Sequence, residues 1–290
     1  MAEQNPGPSP RRTPGSIEPT SRGPGLRRDD GCEGGEKKES SLRGPEGAEA
    51  IHHPPFPHAA KPGDGSLRSA RGDEEGGHEA RKELLSGLWV SHETKARLKR
   101  YAALVAAGNE RMNLVSASTV PHLWERHILD SAQLFLHVPP AARVLVDIGS
   151  GAGFPGVVLA ILGVPEVHVV ESTVKKARFL EETATELGLS NVTVHPVRAE
   201  AVRGLKADVV TARAMAPLVE LLPFVAPFLK PGSVALLPKG RQAKEELAAA
   251  GAFWSFTCDS TPSLTDPSGT ILKIVRLTYR TPAHRRSHRR

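Results

Sequence analysis

The residues best suited to chemistry lie in one run, Val144-Leu145-Val146-Asp147-Ile148-Gly149-Ser150-Gly151-Ala152-Gly153-Phe154-Pro155-Gly156. Its apolar start reads as a buried strand, its glycines as a turn, and Val157 to Leu162 as a helix, with Pro155 suited to the first helical turn. Glycine lets the backbone take positive φ and come close to a ligand, and strand, turn and helix make half of a nucleotide-binding βαβ unit. Two ligand classes compete for it. Gly151-x-Gly153-x-x-Gly156 matches the dinucleotide fingerprint of a nicotinamide-dependent NAD(P) oxidoreductase, a weak signal when it stands alone. Asp147, two residues before Gly149, argues the other way, because a carboxylate repels a pyrophosphate and suits a cation. S-adenosylmethionine offers a sulfonium and an ammonium and needs no phosphate cradle. A turn that binds nothing is the plain alternative, although so many glycines weaken a turn with no ligand to admit.

Ligands of open α/β sheets bind outside the carboxyl ends of the strands, which selects Glu171, Arg198-Ala199-Glu200 and Arg213. Glu171 ends the strand Val167 to Val170 and is placed to accept from two ribose hydroxyls, though an acid there also suits the N-terminus of the helix that follows. Glu200 is almost as well explained as a surface acid. Arg126, His127, Asp130 and Ser131 form a second set, with 126 and 130 at i and i+4 and 127 and 130 at i and i+3, so that their side chains meet on one helix face. Taken alone, such a set is more often an ion-paired surface than a reactive site. The sequence holds no Ser/His/Asp arrangement, metal-ligand cluster or phosphate-binding lysine motif.

The elements that must position these residues follow from pattern. A helix beginning at an Ser91 N-cap carries Leu98, Tyr101, Ala102 and Val105 on one face and is expected to end at Gly108. A second is expected from Thr119 to Leu136. Strands are expected at Val144 to Ile148, Val167 to Val170, Val192 to His195, Ala207 to Thr211 and Ser233 to Leu237, with helices Val174 to Leu187 and Pro217 to Leu229 between them and a turn at Lys230-Pro231-Gly232. Such alternation predicts an α/β, doubly wound, mostly parallel sheet. After a helix from Gln242 to Ala250, two strands near Phe253 to Cys258 and Thr270 to Thr278 are joined by a loop alone and must be antiparallel, which makes seven strands.

The chain has 290 residues and a net charge of +6. Residues 1–80 hold 14 Gly and 11 Pro and very few large apolar side chains, too few to offset an ordering cost of roughly 1 to 2 kcal/mol per residue. They are expected to be a disordered extension, residues 81–279 the folded domain, and residues 280–290, with five Arg and no acid, a basic disordered tail. The basic pairs near the start are followed by no apolar run of signal-peptide length, and no stretch predicts a membrane span. Cys32 and Cys258 form no disulfide framework or metal spacing, which fits a reducing cytoplasm. The body and tail suit a polyanion such as RNA, and a non-catalytic RNA-binding module is a further alternative.

Residues 90–278 resemble the glucose-inhibited division protein B family of bacterial methyltransferases. The residues that carry the resemblance are Asn113-Leu114, Arg126-His127-x-x-Asp130-Ser131, the run from Asp147 to Gly156, Lys175-Lys176-x-x-Phe179-Leu180, Arg198-Ala199-Glu200, Arg213-Ala214 and Lys239-Gly240. The resemblance implies a class I methyltransferase (Rossmann-like) sheet and transfer of a methyl group from S-adenosylmethionine to N7 of a guanine in 16S ribosomal RNA, the guanine at position 527 in the 530 loop. It implies cofactor contacts at Gly149, Phe154, Ala199 with Glu200, and Arg213, and it makes Arg126 and His127 substrate-side residues. The long N-terminal extension and the Arg-rich tail depart from the family pattern. Naked 16S RNA and the small ribosomal subunit are both open as the partner, and the protein is expected to be a monomer.

The chemistry agrees with the residue inventory. Guanine N7 has an exposed lone pair and no proton, so attack on a sulfonium methyl needs no nucleophilic side chain and no obligatory base, and positioning supplies the rate. The sequence has no Asn- or Asp-Pro-Pro-aromatic motif for methylating an exocyclic amine. Arg213 and Lys239 read as contacts to a cofactor carboxylate or RNA phosphate. Stacking on the target base would fall to Phe154 or Trp124.

Overall fold

The computed structural model describes residues 90–280; the expected N-terminal extension and nearly all of the basic tail lie outside them. Helix α1 (His92–Asn109) opens with the Ser91 hydroxyl accepting from the Thr94 amide at 3.1 Å, the expected cap. Gly108 does not end it. A Cβ there would sit 2.8 Å from both Leu114 Cδ1 and Phe179 Cε2, so this glycine permits close packing inside the last turn.

The second helical stretch also departs from expectation. In place of one α-helix, 3₁₀ segments at Ala117–His122 and Gln133–His137 flank a π-helical turn at Trp124–Leu129 and a short α2 (Asp130–Ala132). Pro121 lies in the first of these segments. π-turns are uncommon and concentrate at functional sites; this one carries Arg126 and His127.

The sheet follows as β1 (Val144–Ile148), α3 (Gly156–Ile161), β2 (Glu166–Val170), α4 (Val174–Glu186), β3 (Val192–His195), β4 (Ala207–Thr211), α5 (Leu218–Val225), β5 (Leu229–Lys239), α6 (Ala243–Gly251), β6 (Trp254–Pro262) and β7 (Thr270–Tyr279). Strand order is β3-β2-β1-β4-β5-β7-β6. The first five strands are parallel, and β7 runs antiparallel between β5 and β6. Lys230-Pro231-Gly232 is not a turn before β5 but a bulge within it: Ala207 pairs with Leu229 and Val209 with Val234, so one residue of β4 faces four of β5, with Gly232 at φ +87. The Ser233 hydroxyl holds the bulge by donating to the Ala207 carbonyl at 2.6 Å.

Two apolar layers cover the sheet. On β1, Leu145 packs in the layer with α1, α3 and α4, while Val146 and Ile148 pack in the layer with α5 and α6. Burial on both faces explains why the central strands read as continuous apolar runs. Among the described residues, no helix is long and apolar enough to cross a membrane.

Candidate functional site

The turn after β1 is held from three sides. Gly149 and Gly151 take φ +66 and +58, and the Gly149 amide donates to the Val170 carbonyl at 2.9 Å. From α1, the buried Tyr101 hydroxyl donates to the Ala152 carbonyl at 2.8 Å; burial pushes that phenol well above its ordinary pKa, which keeps it a donor. From β2, Glu171 accepts from the Gly151 amide at 2.9 Å through one oxygen and from the Thr173 amide at 2.7 Å through the other.

Asp147, expected to attract a cationic ligand, instead faces inward. It is wholly buried, accepts from the Gly156 amide at 3.1 Å and from the Thr211 hydroxyl at 2.8 Å, and so ties β1 to α3 and β4. Burial raises its pKa to about 6 against those hydrogen bonds. Gly156 is obligatory for contact rather than conformation, since a Cβ there would lie 2.8 Å from Asp147 Cβ.

A cleft of about 700 Å³ opens at the carboxyl ends of β1 and β4, and Arg126, His127, Gly149, Phe154 and Arg213 all line it. A smaller cavity of about 110 Å³ lies on the far side of Gly149, walled by Ile148, Val170, Val197, Ala199, Glu200 and Phe224 among others. The expected cofactor and substrate-side residues Arg126, His127, Gly149, Phe154, Ala199, Glu200 and Arg213 therefore all line one or other cavity, and Glu171 does not. Glu171 is buried; its oxygens serve the backbone of the turn.

Arg213 is the hub of the cleft. Its guanidinium donates to His127 Nδ1 at 2.9 Å, to Asp130 Oδ2 at 3.2 Å and to the Arg126 carbonyl at 3.3 Å, and it lies 5.0 Å over the Phe154 ring. His127 stacks on the same ring at 5.1 Å. Because Arg is always a donor, Nδ1 must accept, and Nε2 then carries the proton and donates to Thr119 Oγ1 at 2.8 Å. Burial, with the charges of Arg213 and Arg126, lowers the His127 pKa to about 4, so the ring is neutral and both nitrogens are engaged.

Four sequence expectations change here. Arg126 does not pair with Asp130; it reaches Asp266 at 3.6 Å across the cleft mouth, and Asp130 pairs with Arg213. Lys239, which lines the cleft, is not a free cation there: its amine is bound to Glu246 at 2.8 Å and to the Ala216 carbonyl at 2.6 Å. Phe154, 3% exposed beneath His127 and Arg213, has no face to stack on a base. Trp124 packs against the core and lines neither cavity.

Sequence reasoning gave the β6–β7 loop no part in the site, yet Ser263, Thr265, Asp266 and Gly269 line the cleft. Gln133 in the second helical stretch accepts from the Leu264 amide at 2.8 Å, and its two amide hydrogens are shared among Asp130 at 2.9 Å and the Ser263 and Thr265 hydroxyls at 3.1 Å, while the Thr265 hydroxyl donates to Asp130 at 2.7 Å. One buried network thus joins the loop to Arg213. A polar Gln133 beside Leu134 on a buried face was the available signal.

The family model described as rRNA small subunit methyltransferase G matches residues 94–267. The chain belongs to this family. Ribosomal RNA small subunit methyltransferase G of Rhodospirillum centenum is 52% identical over 191 residues, covering 66% of this chain and 88% of that protein. Its counterpart in Paramagnetospirillum magneticum is 51% identical over 193 residues, covering 67% and 94%. Among solved structures, the O-methyltransferase from Bacillus cereus in complex with SAH aligns at a TM-score of 0.48 and 15% identity, covering 68% of this chain and 97% of that one. As a member of the rRNA small subunit methyltransferase G family the chain is a methyltransferase acting on ribosomal RNA. The dinucleotide reading loses its footing in topology too: the dinucleotide fold orders its parallel strands 3-2-1-4-5-6, whereas here an antiparallel β7 is inserted beside β5.

Proposed function

We propose that the paired cavities hold S-adenosylmethionine across Gly149 and that the larger cleft presents its methyl to N7 of a guanine in 16S ribosomal RNA. The observation that carries this reading is the pair of cavities meeting at the carboxyl end of β1, one polar around Arg213 and one largely apolar around Val170, Val197 and Phe224. The first suits a charged amino-acid head and the second an adenine ring. Arg213 and the turn at Gly149 to Phe154 would hold the head, and Ala199 with Glu200 the nucleoside, while Glu171 acts through the turn that it braces. When bound, the cofactor supplies a methyl on a sulfonium, an electrophile that a neutral nitrogen lone pair attacks directly.

The chain's own part is orientation. His127 is neutral, pinned at both nitrogens and unable to serve as a base without breaking a hydrogen bond, which agrees with a target atom that has no proton to lose. Cys258, on β6, has a thiol that burial pushes above its usual range, the reverse of a nucleophile's tuning. Arg126, half exposed at the cleft mouth, is placed for an RNA phosphate. A regular A-form helix hides N7 in a deep, narrow groove, so the target is a loop or distorted junction, which fits the 530 loop.

The wider assignment follows the same reading: the partner is 16S RNA or the assembling small subunit, the site of action is the cytoplasm, and the protein acts as a monomer. Residues 1–80 form an extension outside the catalytic domain of residues 81–279, and residues 280–290 hold RNA backbone. Mapping N7-methylguanine by borohydride and aniline cleavage of 16S RNA, from cells with and without the gene, tests the reaction. A cleavage present only with the gene is expected; a methylated amine or ribose in its place would refute the reading.

A further inference from the structure

Among the described residues, the two cavities have only two wall residues in common, Gly149 and Met215. A Cβ built on Gly149 would lie 3.2 Å from Met215 Sδ and 3.4 Å from its Cγ. The thioether therefore lies against the bare face of the glycine, on the line where the cavities meet, and it is 39% exposed.

The backbone on both sides of Met215 is fixed. Arg213 is tied to His127 and Asp130. The Ala216 carbonyl accepts from Lys239, whose amine is also paired with Glu246. Between them Ala214 takes φ +51, a left-handed conformation that a residue with a Cβ adopts at a cost and that concentrates at ligand sites. A methionine side chain is unbranched, with three rotatable bonds. The segment is thus a rigid mount for one movable group.

A ligand with its charged head beside Arg213 and its base beside Ala199 must cross between Gly149 and Met215. Gly149 cannot yield, because its position is set by the β1 turn and the Val170 carbonyl. We infer that Met215 is a cofactor-contacting residue that partitions the site, its thioether swinging off Gly149 to admit the nucleoside and then packing against it. This rests on the S-adenosylmethionine reading above. The side chain then sets how fast the cofactor gains access as well as how tightly it is kept.

The test compares wild type, Met215→Ala and Met215→Leu for association and dissociation of S-adenosylhomocysteine. Met215→Ala should raise the association rate by about threefold or more, the factor expected if the open rotamer is one of roughly three, and should raise the dissociation rate at least as much. Met215→Leu, branched and stiffer, should associate no faster than wild type. As a measurement on the unaltered protein, the three methionines labelled with ¹³C at the methyl give one resonance each, with Met215 assigned by its loss in Met215→Leu. That resonance should move on adding S-adenosylhomocysteine while Met112, packed on the core, stays. Binding by wild type with an unmoved Met215 methyl, or with an unchanged association rate in Met215→Ala, overturns the inference alone. No binding by wild type overturns the cofactor reading and this inference with it.

Discussion

Arg213 and His127, 86 positions apart, are joined by one hydrogen bond of 2.9 Å in which the guanidinium donates and Nδ1 accepts. That bond fixes the tautomer of the histidine. Its pKa is lowered from 6.5 to about 4, chiefly by burial and then by Arg213, so between those values the unfolded chain binds more protons than the folded one and stability rises with pH. Imidazole ¹⁵N shifts should show the Nε2–H form, with no titration across the physiological range. Arg213→Ala removes both the donor and a repelling charge; the His127 pKa should then rise and the tautomers mix.

Asp147 has the opposite sign. Its folded pKa is raised from 3.8 to about 6 by burial, so its contribution to stability is fully present below the unfolded value and is lost as pH rises through the folded one. The loss amounts to roughly 2 to 3 kcal/mol. Urea unfolding of wild type at pH 4 and pH 7, set against Asp147→Asn, should isolate it: the variant lacks that component of the pH dependence. Asp147→Ala should cost about 1 to 3 kcal/mol at neutral pH by orphaning the buried Gly156 amide.

The β6–β7 loop gives a test of how the site is framed. Gln133→Leu removes the acceptor for the Leu264 amide and the donor to Asp130, leaving buried polar groups unpaired. Stability should fall by about 1 to 3 kcal/mol, and methyl transfer should fall further than that loss explains, since Asp130 positions Arg213. Equal kcat and KM in Gln133→Leu and wild type would separate the loop from the site.

Much of this architecture is legible in the chain because parallel strands buried on both faces leave unbroken apolar runs. β3 and β4 begin and end where the pattern places them, and the strand-end rule brings Gly149 and Arg213 together. The π-turn at Trp124–Leu129 is not legible, because its apolar spacing is compatible with an ordinary helix and the partners of its side chains, Arg213 for His127 and Asp266 for Arg126, lie far along the chain. Nor is the pairing of Lys239 with Glu246, or of Arg126 with Asp266: a basic residue near a presumed RNA site looks the same whether or not an acid, 7 positions along the chain in one case and 140 in the other, meets it. Pro231-Gly232 signals a break correctly, and only the register with β4 shows that the break is a bulge.

The basic tail makes a prediction of a different kind, from charge alone. Deleting residues 281–290 removes four of its five arginines and should weaken binding of 16S RNA more at low than at high salt, lowering the slope of log affinity against log salt. S-adenosylhomocysteine affinity should be unchanged, and deleting residues 1–71 instead should leave that affinity and the melting temperature nearly unchanged. An unchanged slope would remove the tail from the RNA contact.

The last prediction separates two reasons for a glycine at position 149. A side chain there would meet Met215 Sδ at 3.2 Å, yet that atom is the far end of a flexible chain and can give way cheaply. The backbone cannot. At φ +66 an L residue is in the left-handed region, at about 1 to 2 kcal/mol. Strain should therefore outweigh contact in the folded protein: Gly149→Ala should lower stability by about 1 to 2 kcal/mol, and adding Met215→Ala should not restore it. Binding should divide the other way. The methyl of Gly149→Ala projects between the two cavities, where the cofactor must cross, so S-adenosylhomocysteine affinity should fall at least tenfold in Gly149→Ala and be only partly recovered in the double variant, whose widened passage still carries the added methyl. Full recovery of stability in the double variant, measured by urea unfolding, would show that Met215 and not backbone conformation demands the glycine.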